Sequence, residues 1–222
     1  HEDTGEFLKL SARWCVVGTS MDKEVYDSAC DVVRLSSWQL VLAIGAVYRL
    51  VNFAIDLVQA FQSTPDDPST PKVYATQMQG FEVRKPDGSI DNDIVQALNV
   101  GMQGRIDGSS LLASRLHKIL VDDMHCRRCQ NDGKVYVYYH GPYANTLDQV
   151  MAYLKEGKLA GEYKGRPLGY AIICIHADDM PCTATSERVR DNVCDTLREY
   201  YETKCGIWQK MLGRNVVEGP GW

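Results

Sequence analysis

Two adjacent carboxylates, Asp178 and Asp179, end the apolar run of "GYAIICIHADDMPC" (Gly169 to Cys182). A third, Asp56, closes "LVNFAID" (Leu50 to Asp56). Neighbouring carboxylates repel one another, and neither is buried cheaply without a partner. Taken alone the pair reads as a turn, because Asp tolerates turn geometry. The three together read differently. If the two apolar segments are neighbouring strands, three carboxylates meet at one sheet edge. Such hard oxygen ligands suit Mg²⁺, which takes one or two carboxylates together with substrate phosphates. Two such ions clamp the attacking and leaving oxygens of an in-line phosphoryl displacement.

Other reactive residues carry less. Cys126-x-x-Cys129, with His125 beside it and His117 upstream, lacks the second pair that a four-ligand structural zinc uses, so no zinc is expected. His176 reads either as a general acid or as packing beside the aspartates. Arg127-Arg128 is too short a basic run to mean more than a solvated turn.

These residues need elements to position them. The Ile/Ala/Cys run from Ala171 to Ile175, bounded by Gly and Pro, predicts a buried strand. "LVNFAID" alternates, with Val51, Phe53 and Ile55 on one face and Asn52, Ala54 and Asp56 on the other, which predicts a strand. A helix from Ser36 or Ser37 to about Tyr48 precedes it, and "ARWCVVG" (Ala12 to Gly18) reads as a short strand. "STPDDPSTP" is a loop and "KPDGS" a turn. Leu112, Leu116 and Leu120 keep helical register over about 110–120, and Asp-Gly in "QNDGK" predicts a tight turn into the strand "VYVYY". "NTLDQVMAYLKEGK" reads as a helix stopped at Gly157. Ser186 caps a last helix with Val189, Val193, Leu197 and Tyr200 on one face, and "IWQKMLGRNVVE" closes as a strand or hairpin. Mixed order with hairpins predicts an α+β fold with an antiparallel sheet.

Composition sets limits. The chain of 222 residues can bury a good core, and its net charge of −5 gives no basic footprint for nucleic acid. Eight scattered cysteines imply reduced, often buried thiols in an intracellular compartment, cytoplasm or nucleus, and no signal peptide is expected. "WQLVLAIGAVYRLVNFAIDLV" is broken by Gln39, Arg49, Asn52 and Asp56, so no membrane span is expected.

At these residues the chain resembles the reverse transcriptase domain of copia-type LTR retrotransposons. "IDLVQAF" (Ile55 to Phe61) resembles that family's first catalytic motif, an Asp followed five residues later by an aromatic. "IHADDM" (Ile175 to Met180) resembles its Tyr-Val-Asp-Asp hairpin, and "VYATQMQGFEV" (Val73 to Val83) its Ile-Tyr-Met-x-Gln-Pro-x-Gly-Phe-Glu segment. "ARWCVVG" and "DVVRLSSWQLVLAIGA" are similar to the stretch before the first motif, and "KMLGRNV" (Lys210 to Val216) to one after the palm. The likeness runs from about Leu10 to Val216. It departs at His176-Ala177, where the family has Tyr-Val, and at "GMQGRIDGSS", which lacks the family's proline and aromatics.

The resemblance implies a right-hand polymerase core with an antiparallel palm sheet and helices packed mainly on one face. Its divisions are an N-terminal fingers part over 1–55, a palm over 56–216 with a fingers insertion at about 62–110, and a tail at 217–222. Asp56, Asp178 and Asp179 are then catalytic and hold two Mg²⁺ ions. Phe61 gates against ribonucleotides, Gln103 lies beside the nucleotide and template, and Arg13, or else Lys9, meets the triphosphate. The partners are an RNA or DNA template-primer and deoxynucleotides. A second reading is a non-catalytic structural or interaction subunit of the same ancestry, bound to protein partners. The acidic balance, the departures around Gln103 and the little thumb in the chain point that way.

Overall fold

The computed structural model describes residues 15, 21, 32–140, 162–163, 166–167, 169–207, 210–211 and 214–215. The predicted strand at Ala12–Gly18 (Cys15 apart), the predicted helix at Asn145–Gly157, and Arg13 and Lys9 lie outside them.

The alternation in "LVNFAID" produces strand β1 (Val51–Leu57), in which Phe53, Ile55 and Leu57 are buried and Asp56 is exposed. Short strands β2 (Val73–Ala75) and β3 (Gln96–Leu98) pair antiparallel as a separate ribbon in the segment that follows. Next come α2 (Gly108–Lys118), β4 (Arg127–Arg128) and β5 (Val135–His140). A small ribbon of β6 (Glu162–Tyr163) and β7 (Arg166–Pro167) precedes β8 (Gly169–Cys174) and β9 (Asp179–Ala184). The helix Glu187–Arg198, here α3, leads to β10 (Thr203–Gly206) and a closing hairpin of β11 (Lys210–Met211) and β12 (Arg214–Asn215). The fold is mixed α+β, and among the described residues its main sheet is six-stranded and antiparallel in the order β10-β1-β9-β8-β5-β4.

The two faces of this sheet explain the sequence. On one face Phe53, Ile55, Tyr136, Tyr138, Ala171, Ile173, Met180 and Cys182 pack against Leu112 and Leu116 of α2 and Val189, Val193 and Leu197 of α3. On the other, Tyr170, Ile172 and Cys174 meet Trp38 and Val41 of α1 (Leu35–Val47). Strand β8 is therefore covered on both sides, and all six of its residues are buried. A strand so placed has no polar face to alternate with, which is why its sequence is continuously apolar. Pro181 lies just beyond the last β8–β9 pair, Ile173 with Cys182, so its missing N–H costs that ladder nothing.

Helix starts divide by where the cap comes from. Helix α3 begins as predicted, with Ser186 Oγ accepting from Val189 N at 3.3 Å. Helix α1 starts at Leu35, ahead of the expected Ser36 or Ser37. Its cap is remote: the buried Asp132 carboxylate accepts from Arg34 N at 3.0 Å. Burial opposes ionisation of Asp132, but the Ser37 hydroxyl and the N–H groups of Arg34 and Lys134 hold it below the ordinary carboxylate range. Helix α2 opens at Gly108 and continues as a π-helical turn over Ile119–Asp123, a widening not foreseen. The "KPDGS" turn forms, with Lys85 N donating to Ser89 O at 2.8 Å. Arg127-Arg128, expected as a turn, forms strand β4 because both residues pair with β5.

Candidate functional site

Strands β1 and β9 pair antiparallel from Val51 with Ala184 to Asp56 with Asp179. That register sets Asp56 directly opposite Asp179 and on the same face of the sheet. Directly opposed side chains in such a pair have Cβ atoms about 4.5–5.5 Å apart. Asp178 sits in the β8–β9 turn, where its carbonyl accepts from Leu57 N at 3.2 Å. The turn is closed by His176 N to Asp179 O at 2.8 Å and Asp179 N to His176 O at 3.0 Å. Its first central residue, Ala177, has φ +55°, whereas Asp178 does not. Positive φ at that position alone matches a type II′ hairpin turn, whose twist suits the flanking strands. Glycine is the usual occupant, so Ala177 holds about 1–2 kcal/mol of backbone strain beside the carboxylates.

The carboxylates feel one another. Partial desolvation, then the charges of Asp178 and Asp56, push Asp179 above the ordinary carboxylate range, and His176 opposes the shift. Asp56 and Asp179 are exposed and Asp178 half-buried. Among the described residues no group of three or more His, Cys, Asp or Glu is placed to hold a metal ion on its own. The donor set is open: three mutually repelling carboxylates at a sheet end, two of them exposed. It fits a hard cation that takes its remaining ligands from water or phosphate oxygens.

Phe61 lies in the turn after β1, half-buried against the main core. Its backbone and ring sit against two glycines. A Cβ on Gly101 would lie 2.8 Å from Phe61 O, and one on Gly108 would lie 3.6 Å from the ring. Gln103 is half-buried on the intervening turn, where its Oε1 accepts from the Cys15 thiol at 3.7 Å. Asp56, Asp178 and Asp179 are thus brought to one sheet end. Phe61 and Gln103 share the neighbouring loop layer.

One cluster in that layer has no counterpart in the sequence reading. The Arg105 side chain is 0% exposed and forks onto Asp107, with Nε to Oδ1 at 2.9 Å and Nη2 to Oδ2 at 2.7 Å. It also donates to Asp66 Oδ1 at 3.0 Å and to Val100 O at 3.1 Å. Gly101 N bonds Thr64 O at 2.7 Å, and Thr64 Oγ1 lies 3.2 Å from Tyr201 Oη. Arg105 therefore ties the segment leaving β1 to the segment entering α2, and so fixes Phe61 against Gln103's turn. The only hint in the sequence is the Arg-x-Asp spacing, which is common on surfaces.

His125 is exposed, Cys126 is buried, and Cys129 is half-buried. Burial pushes the Cys126 thiol up to about 12. His117 instead bonds the buried Tyr136 hydroxyl through Nδ1 at 2.9 Å. Arg127 lies over the Tyr139 ring at 5.0 Å and Arg128 Nε donates to Gly133 O. Among the described residues no helix is long and apolar enough to cross a membrane. No protein-family model, curated protein or solved structure matches the chain.

Proposed function

We propose that this chain is the palm-and-fingers core of an RNA-directed DNA polymerase of copia-type retrotransposon ancestry. The observation that carries the reading is the β1–β9 register, which sets Asp56 opposite Asp179 with Asp178 in the adjoining turn. Two acidic motifs far apart in the chain thereby share one accessible sheet end beside the fingers-like loops. Asp56 and Asp178 hold the cations through their carboxylate oxygens, and Asp179 supports them. Magnesium, when bound there, stabilises charge on the α-phosphate and on the departing pyrophosphate. The chain's own part is positioning: Phe61 bounds the sugar, Gln103 faces the nucleotide and template, and the Arg105 clamp fixes both loops. The free thiols of the described residues fit an intracellular compartment.

Primer extension on an RNA template with Mg²⁺ tests the reading, with Asp178→Asn as the control. Extension by the unsubstituted chain and its loss in the variant are expected. Thermal melts give a readout independent of turnover. Mg²⁺ at ten times its Kd should add about 1.4 kcal/mol to the unsubstituted chain and nothing to the variant.

The scaffold reading draws on a different observation. Helix α1 exposes large apolar side chains, Leu40 at 61% and Val47 at 74%, an unusual expense for a free surface. Absence of both extension and Mg²⁺ stabilisation would decide for that reading.

A further inference from the structure

Most buried cysteines here are inert. Burial pushes the thiols of Cys126 and Cys174 up to about 12 and that of Cys182 well above the ordinary thiol range. Cys205 is placed differently. The burial pattern of β10 turns Thr203 and Cys205 inward and leaves Lys204 and Gly206 outside. On the inner side Cys205 packs against the main core, in which Cys194 of α3 is wholly buried, and the two thiols interact. On its other side it lines a cleft of about 270 Å³ with Arg190 and Arg198. One cysteine thus borders the cleft, and the second lies in the core that it packs against.

The surroundings favour the thiolate at the outer position. The contact with Cys194 outweighs burial and, with Arg198, holds Cys205 below the ordinary thiol range, against the opposing charge of Asp195. The other charged groups facing this corner from α3 are Arg190 and Asp191, paired at 2.8 Å. Cys182 faces it from β9. Cys194 moves the other way: sharing its proton with Cys205 and burial both raise it.

We propose that Cys205 is an oxidant-reactive thiol and Cys194 its resolving partner, so that a hydroperoxide converts the pair into a disulfide joining α3 to β10. In the first step the Cys205 thiolate attacks the peroxide's outer oxygen. The O–O bond breaks, the alcohol or water leaves with a proton, and sulfur is oxidised to sulfenic acid. In the second step Cys194 attacks that sulfur, an S–S bond replaces the S–O bond, and the Cys194 proton departs with hydroxide as water. The peroxide is the oxidant consumed. The product ties the strand beside β1 to the helix behind it: Cys205 pairs with Ile55, and its neighbour Lys204 with Asp56.

The test uses the reduced full chain. Alkylation by iodoacetamide is followed at each cysteine from pH 5 to 9. Cys205 is expected to show a midpoint below that of the same thiol in the unfolded chain and, at pH 7, a rate at least about twofold higher, because thiolate fraction rises more than nucleophilicity falls. Stoichiometric hydrogen peroxide, followed by blocking of free thiols and peptide mapping, should give one linkage, Cys194 to Cys205, with loss of two hydrogens. In Cys194→Ser the Cys205 sulfenic acid should persist and be trapped by dimedone. An ordinary thiol midpoint at Cys205, a linkage between another pair, or over-oxidation of Cys205 with Cys194 still reduced overturns the proposal. The kinetics and mapping use the unsubstituted protein, so a misfolded variant does not shield it.

Discussion

Replacing Arg105 with methionine would strip the cation from the layer beneath the candidate site. The guanidinium is fully enclosed, and its partners Asp66 and Asp107 are only 7% and 6% exposed. Four hydrogen bonds disappear together, the fork to Asp107 among them. Asp66 keeps Lys72 at 3.5 Å, whereas Asp107 is left with no other ion pair among the described residues. Breaking a buried pair from one side costs about 3–5 kcal/mol, because a charge stays buried without compensation. For a chain of this size that lowers Tm by roughly 6–20 °C. Urea unfolding followed by far-UV circular dichroism measures the loss directly. Arg105→Lys keeps the charge without the planar fork and should fall between the two. Combining Arg105→Met with Asp107→Leu removes the stranded charge and should recover part of the deficit. A loss below about 1 kcal/mol for Arg105→Met, with no recovery in the double variant, would refute the clamp as a buried ionic tie.

Three further outcomes follow from the geometry. Asp179→Asn removes a carboxylate held above its ordinary range, so the unsubstituted chain loses stability as pH rises through that group's titration. The variant should gain about 0.5 kcal/mol at pH 7, a figure kept small because the carboxylates are exposed, and nothing at pH 3; equal gains at both would refute the repulsion. Burial, with Arg128 and Lys134, depresses His117 despite Asp122, so its contribution is present above about pH 6.5 and lost as pH falls. Its imidazole should titrate below the ordinary value by NMR, and Tyr136→Phe should change that midpoint. Gly169 has φ +146°, and a Cβ there would meet Thr185 Oγ1 and Val189 Cγ2, the latter at 2.8 Å. Gly169→Ala should therefore cost about 2 kcal/mol or more in chemical denaturation, and a neutral result would show that α3 yields easily.

What the sequence disclosed and what it hid follow the range of the forces involved. Strand β1 was legible because one covered face imposes alternation, and β8 because two covered faces abolish it. Helix α3 announced itself through Ser186, a cap three residues from the N–H it accepts. The start of α1 did not, since its cap is Asp132, 98 positions from Arg34. Strand β10 escaped notice because "TKCG" has no apolar alternation; its partner β1 defines it. The π turn after α2 likewise has no local code. At the site, the carboxylates could be picked out by type and context. Their opposition depends on the β1–β9 register, which no single segment contains. Arg105 was invisible for the same reason, since its three anchors converge only after two loops have met.

The two outer strands of the main sheet, β10 and β4, carry a further consequence. Strand β4 is only two residues long, and both are exposed arginines, while β10 turns Lys204 outward. An unsatisfied strand margin normally invites another polypeptide to zip onto it. Here two copies meeting margin to margin would bring cation against cation along a very short ladder. Among the described residues, both flanks of the main sheet therefore end in strands that make poor templates for fibre growth.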